Sequence, residues 1–306
     1  MVDATFFTNF GRNHAINVPL NLADPRIGYE HQSAINQRVD NPFFGLPGNI
    51  VPGDLANQRE VAVSQLIRPY PHYNNISFQG NGIVGNRYNA LQLKIQRPFA
   101  NGFNFLIGYN YNRGRTEDFY DDVDTFDRRL AYQRDPLSGQ TFTFSSIYEL
   151  PIGRGRRFGN DMPRALNAVV GGWSISGIYR YLSGQLLRFG GMEVNGDPTI
   201  SNPTRESWFN TDAFTRLPAF TRRSNPWFFD DLRGPFYSNL DMTLNKKFQI
   251  TEALGLELRM EAYNLTNTFM GANPVTDVNS GSFGRITSQL ATHSGRELQY
   301  SVRLMW

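Results

Sequence analysis

The chain has 306 residues, a net charge of +3 and no cysteine, which excludes a disulfide framework or cysteine-based metal site and gives no basic surplus that would point to nucleic acid. Charged residues are 19% and aromatic residues 14%, a balance poor in charge and rich in rings beside an average soluble domain. Mean hydropathy is −0.44, and no run approaches the ~18 apolar residues of a spanning helix; a transmembrane barrel stays allowed, because its lipid-facing and lumen-facing residues alternate and cancel in any window average.

The first residues, Met1-Val2-Asp3-Ala4-Thr5-Phe6, carry no basic n-region and no apolar h-region, so they are not a signal peptide. A barrel needs such a leader for export, and the chain is expected to be part of a longer polypeptide. A strand is possible over residues 5–13. Residues 19–86 are rich in Pro, Gly and Asn and read as a long loop. The expected boundary falls between residues 1–87, a possible strand plus an extracellular loop, and residues 88–306, a run of barrel strands.

From residue 91 onward the sequence alternates with period two in segments of about ten residues. Leu91, Leu93 and Ile95 oppose Gln92, Lys94 and Gln96. Phe103, Phe105, Ile107, Tyr109 and Tyr111 oppose Asn104, Gly108, Asn110 and Asn112. Phe142, Phe144, Ser146, Tyr148 and Leu150 oppose Thr141, Thr143, Ser145 and Glu149. Trp173, Ile175, Gly177, Tyr179 and Tyr181 follow, then Leu240, Met242, Leu244, Phe248 and Ile250, with Lys246 interrupting. Leu256, Leu258, Met260 and Ala262 oppose Glu257, Arg259 and Glu261. The last segment sets Leu298, Tyr300, Val302, Leu304 and Trp306 against Gln299, Ser301 and Arg303.

Alternation alone also fits a soluble sandwich. Two features favour a membrane barrel. Segment ends are aromatic (Tyr109, Tyr111, Tyr179, Tyr181, Tyr263 and Trp306), as interfacial girdles are. Connections alternate between short and long, as periplasmic turns and outer loops do, with the one over residues 150–171 intermediate. A ten-residue strand spans ~33 Å, and a tilt of ~40° lowers that to ~25 Å, the height of the apolar band. The expected fold is therefore all-β: an antiparallel transmembrane β-barrel in the bacterial outer membrane, with about seven or eight strands of a larger barrel present and long extracellular loops. Outer-membrane lipid is its first partner.

Chemistry-bearing motifs are few. The four histidines, His14, His31, His72 and His293, are scattered and read as solvated loop residues. Asp121, Asp122, Asp124 and Asp127 cluster in a long loop, a weak calcium candidate without the spacing of an EF-hand, against the plainer reading of a solvated acidic loop. No nucleophile elbow and no P-loop is present, so the chain is not expected to be an enzyme or to carry a cofactor. Gly153-Arg154-Gly155-Arg156-Arg157 is a basic turn, either solvated or placed against anionic head groups. Lys247, Glu257, Arg259 and Glu261 are expected on lumen faces of adjacent strands, with Lys247 diagonal to Glu257 or Glu261 in an ion-pair ladder. Trp208, Trp227, Phe228 and Phe229 lie in the longest loop and are candidates for ligand contact or for anchoring the loop upon itself.

Gln65-Leu66-Ile67-Arg68-Pro69-Tyr70-Pro71 and Tyr88-Asn89-Ala90-Leu91-Gln92-Leu93-Lys94 resemble stretches of the large TonB-dependent receptors called Oar-like. So do Leu150-Pro151-Ile152-Gly153-Arg154-Gly155, Gly171-Gly172-Trp173, Arg233-Gly234-Pro235 and Arg259-Met260-Glu261-Ala262-Tyr263-Asn264-Leu265-Thr266-Asn267, in the same order. Tyr300, Val302, Leu304 and Trp306 are similar to the terminal aromatic signature read by barrel-insertion machinery. The resemblance implies a barrel of about twenty-two strands with a plug domain, the TonB system as energy source through that plug, and uptake of an unidentified small-molecule or oligomeric ligand. The chain contains neither plug nor TonB-contact segment, so transport would need the rest of the barrel. Two alternatives remain open from sequence: a small autonomous eight-stranded barrel with an adhesin or structural role, in which the strand near Thr5 pairs with the strand ending at Trp306, and a soluble β-sandwich that binds or hydrolyses carbohydrate.

Overall fold

A computed structural model describes residues 1–306 apart from Glu252, and apart from the side chain of Asn81. In chain order the strands are β1 (Val2–Pro19), β2 (Arg38–Asp40), β3 (Glu60–Ala62), β4 (Ser77–Ala100), β5 (Phe103–Phe119), β6 (Leu130–Arg134), β7 (Gly139–Glu149), β8 (Trp173–Leu182), β9 (Leu186–Arg188), β10 (Met192–Val194), β11 (Phe214–Arg216), β12 (Phe228–Arg233), β13 (Tyr237–Gln249), β14 (Gly255–Tyr263) and β15 (Glu297–Met305). Four short helices interrupt the connections: α1 (Pro25–His31), α2 (Val63–Leu66), α3 (Asp122–Asp127) and α4 (Arg164–Val170).

One antiparallel sheet forms the wall, in the order β1-β4-β5-β7-β8-β13-β14-β15, with β6 added to the top of β5. Each of the seven alternating segments read from sequence is a strand of this wall, and residues 5–13 fall inside β1. A soluble sandwich would need two wall sheets packed face to face; here all eight wall strands share one. Among the described residues, β1 and β15 stand at opposite ends of the order and do not pair with each other, so the closed eight-stranded reading is not what the sheet shows.

The registers set every apolar row in line. Ile95, Ile107 and Phe144 lie directly across from one another on β4, β5 and β7. Tyr179 and Leu240 continue the face across β8 and β13, and farther along β13 Leu244, Met260 and Tyr300 lie in line across β13, β14 and β15. One residue of slip would exchange the two faces entirely, so hydrophobic patterning fixes the pairing. The opposite face carries Asn104, Ser145, Ser176, Asp241, Thr243, Arg259 and Glu261, and it is concave. Those residues together line one groove of about 630 Å³ that runs from β4 to β14.

Connections sort by end. The β4–β5 turn consists of Asn101 and Gly102, both with positive φ (54° and 79°), the backbone of a tight hairpin that suits an Asn-Gly pair. The β7–β8 and β13–β14 connections share that end, as do Met1, whose ammonium donates to the Gln96 carbonyl at 3.0 Å, and the end of β15. Among the described residues the β7–β8 connection is the one extended segment at this end, and the β1–β4, β5–β7, β8–β13 and β14–β15 connections emerge at the other.

Two expectations need correction. The stretch 19–86 is not all loop. β4 begins at Ser77 and pairs with β1 up to Pro19↔Ser77, with register shifts around His14, so a two-stranded ribbon rises beyond the membrane height. Gly80, Gly82 and Gly85 gave that stretch its loop-like composition; the bulged ribbon accommodates them. Nor is the connection that carries Asp121, Asp122, Asp124 and Asp127 a plain loop. β5 runs on to Phe119 and takes β6 as a partner, Phe119↔Leu130.

Candidate functional site

The long connections fold into a layer at the wide end of the wall. The β8–β13 connection makes two small ribbons, β10 with β11 and β9 with β12. They close around Leu187, Phe189, Met192, Phe209, Ala213, Phe214 and Leu232, all buried. Phe189 is fully buried; its ring stacks on Phe214 at 5.1 Å and meets Phe209 and Phe229 edge-on at 5.4 and 5.3 Å, geometries that add to plain area burial. Val278 and Phe283, from the β14–β15 connection, pack on the same cluster.

Polar ties lock the loops to one another. Trp208 Nε1 donates to the Arg233 carbonyl at 2.6 Å. Arg233 Nη1 donates to the carbonyls of Ser138 and Gly184 at 2.7 and 2.9 Å, joining the β5–β7 and β8–β13 connections through one guanidinium. Trp227 Nε1 donates to the Tyr120 carbonyl at 2.8 Å. Above Trp227 sit two guanidiniums, Arg188 at 3.7 Å and Arg223 at 4.3 Å from the ring centroid. Arg223 also lies 5.3 Å from the Tyr120 ring and donates to the Phe189 carbonyl at 3.1 Å.

This stack separates two open cavities. One, of about 680 Å³, is lined by Tyr29, Asp118, Tyr120, Asp121, Arg223 and neighbours; the other, of about 640 Å³, by Gln133, Arg134, Asp135, Phe228 and Asn273 among others. Asp118, Arg188 and Trp227 line both. Each cavity includes an arginine whose buried Nε has no hydrogen-bond partner among the described residues, Arg223 and Arg134 respectively.

The residues singled out from sequence separate here. Trp208 and Phe229 pack against the buried loop cluster, so they anchor the layer. Trp227 and Phe228 line cavities. Tyr300, Val302, Leu304 and Trp306 lie along or just beyond β15 and are all exposed, Trp306 at 93%. The four acids of the 121–127 cluster are turned to protein partners. Asp121 caps α3 by accepting from the Asp124 amide at 2.8 Å and accepts from Arg222 Nε at 2.6 Å. Burial pulls the Asp121 pKa up, but Arg222 and the backbone amides outweigh it and hold it below the usual carboxylate range. Asp122 accepts from the Tyr29 hydroxyl at 2.6 Å, which, with burial as the larger cause, raises the tyrosine pKa well above its ordinary value. Asp124 approaches Arg222 at 3.5 Å, and Asp127 pairs with Arg26 and Arg129. Among the described residues, no group of three acids or histidines is placed to hold a metal ion. On the lumen face Lys247 lies directly opposite Glu257, while Arg259 pairs with Glu261 at 2.6 Å.

A family profile described as an outer membrane beta barrel domain matches residues 1–299. The chain belongs to the outer membrane β-barrel domain family. No curated protein and no solved structure matches it. Membership places this barrel in the bacterial outer membrane and fixes the orientation of everything above. The short-turn end is periplasmic, the loop layer faces outward, the apolar rows meet lipid, and the concave polar face lines the lumen.

The stack of Arg188, Arg223, Tyr120 and Trp227 was missed from sequence. Tyr120 and Trp227 are 107 positions apart, and no local spacing announces that they meet. Arginines scattered among aromatics in one long loop were the only trace of it.

Proposed function

We propose that this chain is the wall and part of the outer mouth of a ligand-uptake receptor of the TonB-dependent kind, driven through a plug held in the lumen. The observation that carries the reading is the open sheet. Among the described residues β1 and β15 present unpaired edges, and no open edge persists in lipid, so further strands complete the barrel. A wall of eight strands that curves into a groove without closing fits the arc of a much larger barrel, wide enough to need a plug. The outer cavities supply the mouth. The arginines that line them, Arg134, Arg188 and Arg223, and the Trp227 platform suit an oxygen-rich ligand, through charge-assisted hydrogen bonds and stacking.

The background has no cysteine, so introduced pairs report cleanly on closure. Thr5→Cys with Gln92→Cys, which face one another across β1 and β4, is expected to crosslink in isolated outer membranes. Thr5→Cys with Ser301→Cys is expected not to. Efficient crosslinking of the second pair would establish a small closed barrel and remove the receptor reading. For uptake, spent medium of wild-type cells is compared by mass spectrometry with that of cells lacking this protein or lacking the envelope-spanning energy transducer. The two deletions are expected to spare the same compounds from depletion; depletion that ignores the transducer would refute energy-coupled transport.

A further inference from the structure

The β7–β8 connection, residues 151–172, is far longer than the two-residue β4–β5 turn at the same periplasmic end. It holds four arginines, Arg154, Arg156, Arg157 and Arg164, against one acid, Asp161, and all five are exposed; Arg156 pairs with Glu149, the last residue of β7, at 3.0 Å, which leaves three arginines without an acidic partner among the described residues. Beside them stand exposed apolar side chains: Ile152 at 38%, Phe158 at 55% with the Arg157 guanidinium over its ring, Leu166 at 50% and Val169 at 66%. Leu166 and Val169 are three apart in α4 and share a face. Such a combination is unfavourable in water and matches the chemistry of a bilayer interface, where cations meet phosphates and apolar groups enter the acyl boundary.

The segment is held on the lipid side of the wall rather than beneath the lumen. Trp173 lies in the outward row of β8, and its Nε1 donates to the Val169 carbonyl at 2.9 Å. Lys246, directly across from Trp173 on β13, is 2% exposed. Its ammonium reaches the Gly171 carbonyl and lies 5.3 and 4.7 Å from the Trp173 and Phe248 ring centroids. Two outward-facing side chains therefore grip the end of α4. Gly172 closes the grip: its φ is +69°, and a Cβ there would fall 2.5 Å from the Lys247 carbonyl oxygen. The loop itself is pinned by the Gly153 and Phe158 amides, which donate to the Phe158 and Pro151 carbonyls at 2.9 Å each, and by the Arg154 amide, which donates to Asn167 Oδ1 at 2.8 Å. The arginine-bearing turn and the apolar face of α4 are thus presented as one built surface, continuous with the aromatic belt.

We propose that residues 151–172 bind an anionic phospholipid of the periplasmic leaflet, its phosphate on the arginine turn and its acyl chains along Leu166, Val169 and Phe158. The proposal rests on the barrel's place in the outer membrane and not on ligand uptake, so it stands or falls apart from the receptor reading.

The test uses the protein purified from outer membranes, carrying Val169→Cys labelled with bimane, in nanodiscs of phosphatidylcholine and phosphatidylglycerol. Headgroup composition is held constant, and bromine, a contact quencher, is carried on the acyl chains of one lipid or the other. Free phosphate carries no bromine, so quenching reports lipid alone. Bromine on phosphatidylglycerol is expected to quench as though enriched about fivefold near the label, the scale of one arginine's attraction to an anionic surface. Replacing the four arginines together by glutamine is expected to abolish that preference, and replacing them by lysine to retain most of it. Equal quenching by the two brominated lipids in the wild-type loop, quenching by neither, or a preference that survives the glutamine changes would each overturn the proposal. The wild-type comparison decides even if the glutamine variant fails to assemble.

Discussion

Phe189→Ala is expected to destabilise the outer loop layer by about 3–5 kcal/mol, the usual cost of deleting a fully buried ring, while the membrane wall stays assembled. Phe189 has no solvent exposure and contacts Phe209, Phe214 and Phe229, so the void would open at the centre of the cluster. The cluster has few substitutes for it. The layer is made of two short ribbons and irregular chain, and β9–β12 keeps only two paired positions, Phe228↔Arg188 and Arg233↔Leu186. Wall strands by contrast are held by their own ladders and by lipid. The readout is protease treatment of whole cells. New cuts are expected within residues 190–233, with the heat-modifiable migration of the extracted barrel unchanged. Unaltered protease resistance would mean that the layer draws its stability from elsewhere. Since Arg223 donates to the Phe189 carbonyl, the same change should also disorder the stack over Trp227 and thereby the two cavities it divides.

The wall was legible because two constraints act on every residue of it. Backbone pairing forces period two, and lipid on one side with a wet lumen on the other forces that period to be chemical. Hence Phe103 to Tyr111 announced β5 unaided. Lys246 looked like an interruption because its charge sits in an apolar row; the structure explains it by position, at the periplasmic rim where an ammonium can reach a carbonyl and two rings. Long amphipathic side chains commonly escape the apolar band in this way. The ribbon of β1 and the start of β4 was not legible, since above the membrane both faces meet water and the alternation disappears. The mouth was legible only as composition. Trp208, Trp227, Phe228 and Phe229 stand close together in sequence, yet two pack against the loop core and two border cavities. Which does which depends on Phe283, Ser138 and Tyr120, contributed by other loops.

The assignment of faces makes its sharpest prediction at two neighbouring residues. Ile107 lies midway along the membrane part of β5, in the outward row between Ile95 and Phe144. Leu106, one residue earlier, lies between Gln96 and Ser145 on the concave side and lines the groove. Ile107→Arg is expected to cost about 2–4 kcal/mol, the penalty for arginine on the lipid face near the midplane. Neither end of the strand is within easy reach of its guanidinium, unlike Lys246 at the rim. Leu106→Arg is expected to cost little, because the side chain is already 39% exposed and its row carries Gln96, Ser145 and, farther along, Asp241. The amount of heat-modifiable protein in outer membranes measures both. A sharp loss for Ile107→Arg beside near-normal assembly of Leu106→Arg is the expected pair of results. The reverse pattern would mean that lipid and lumen had been exchanged, and two equal losses would mean that the concave face is dry, packed against protein across the groove. That last outcome would bear on the receptor reading as well, since a lumen filled by a packed domain would leave Leu106, Ile147 and Ile178, the apolar residues of the concave face between β5 and β8, as its points of contact.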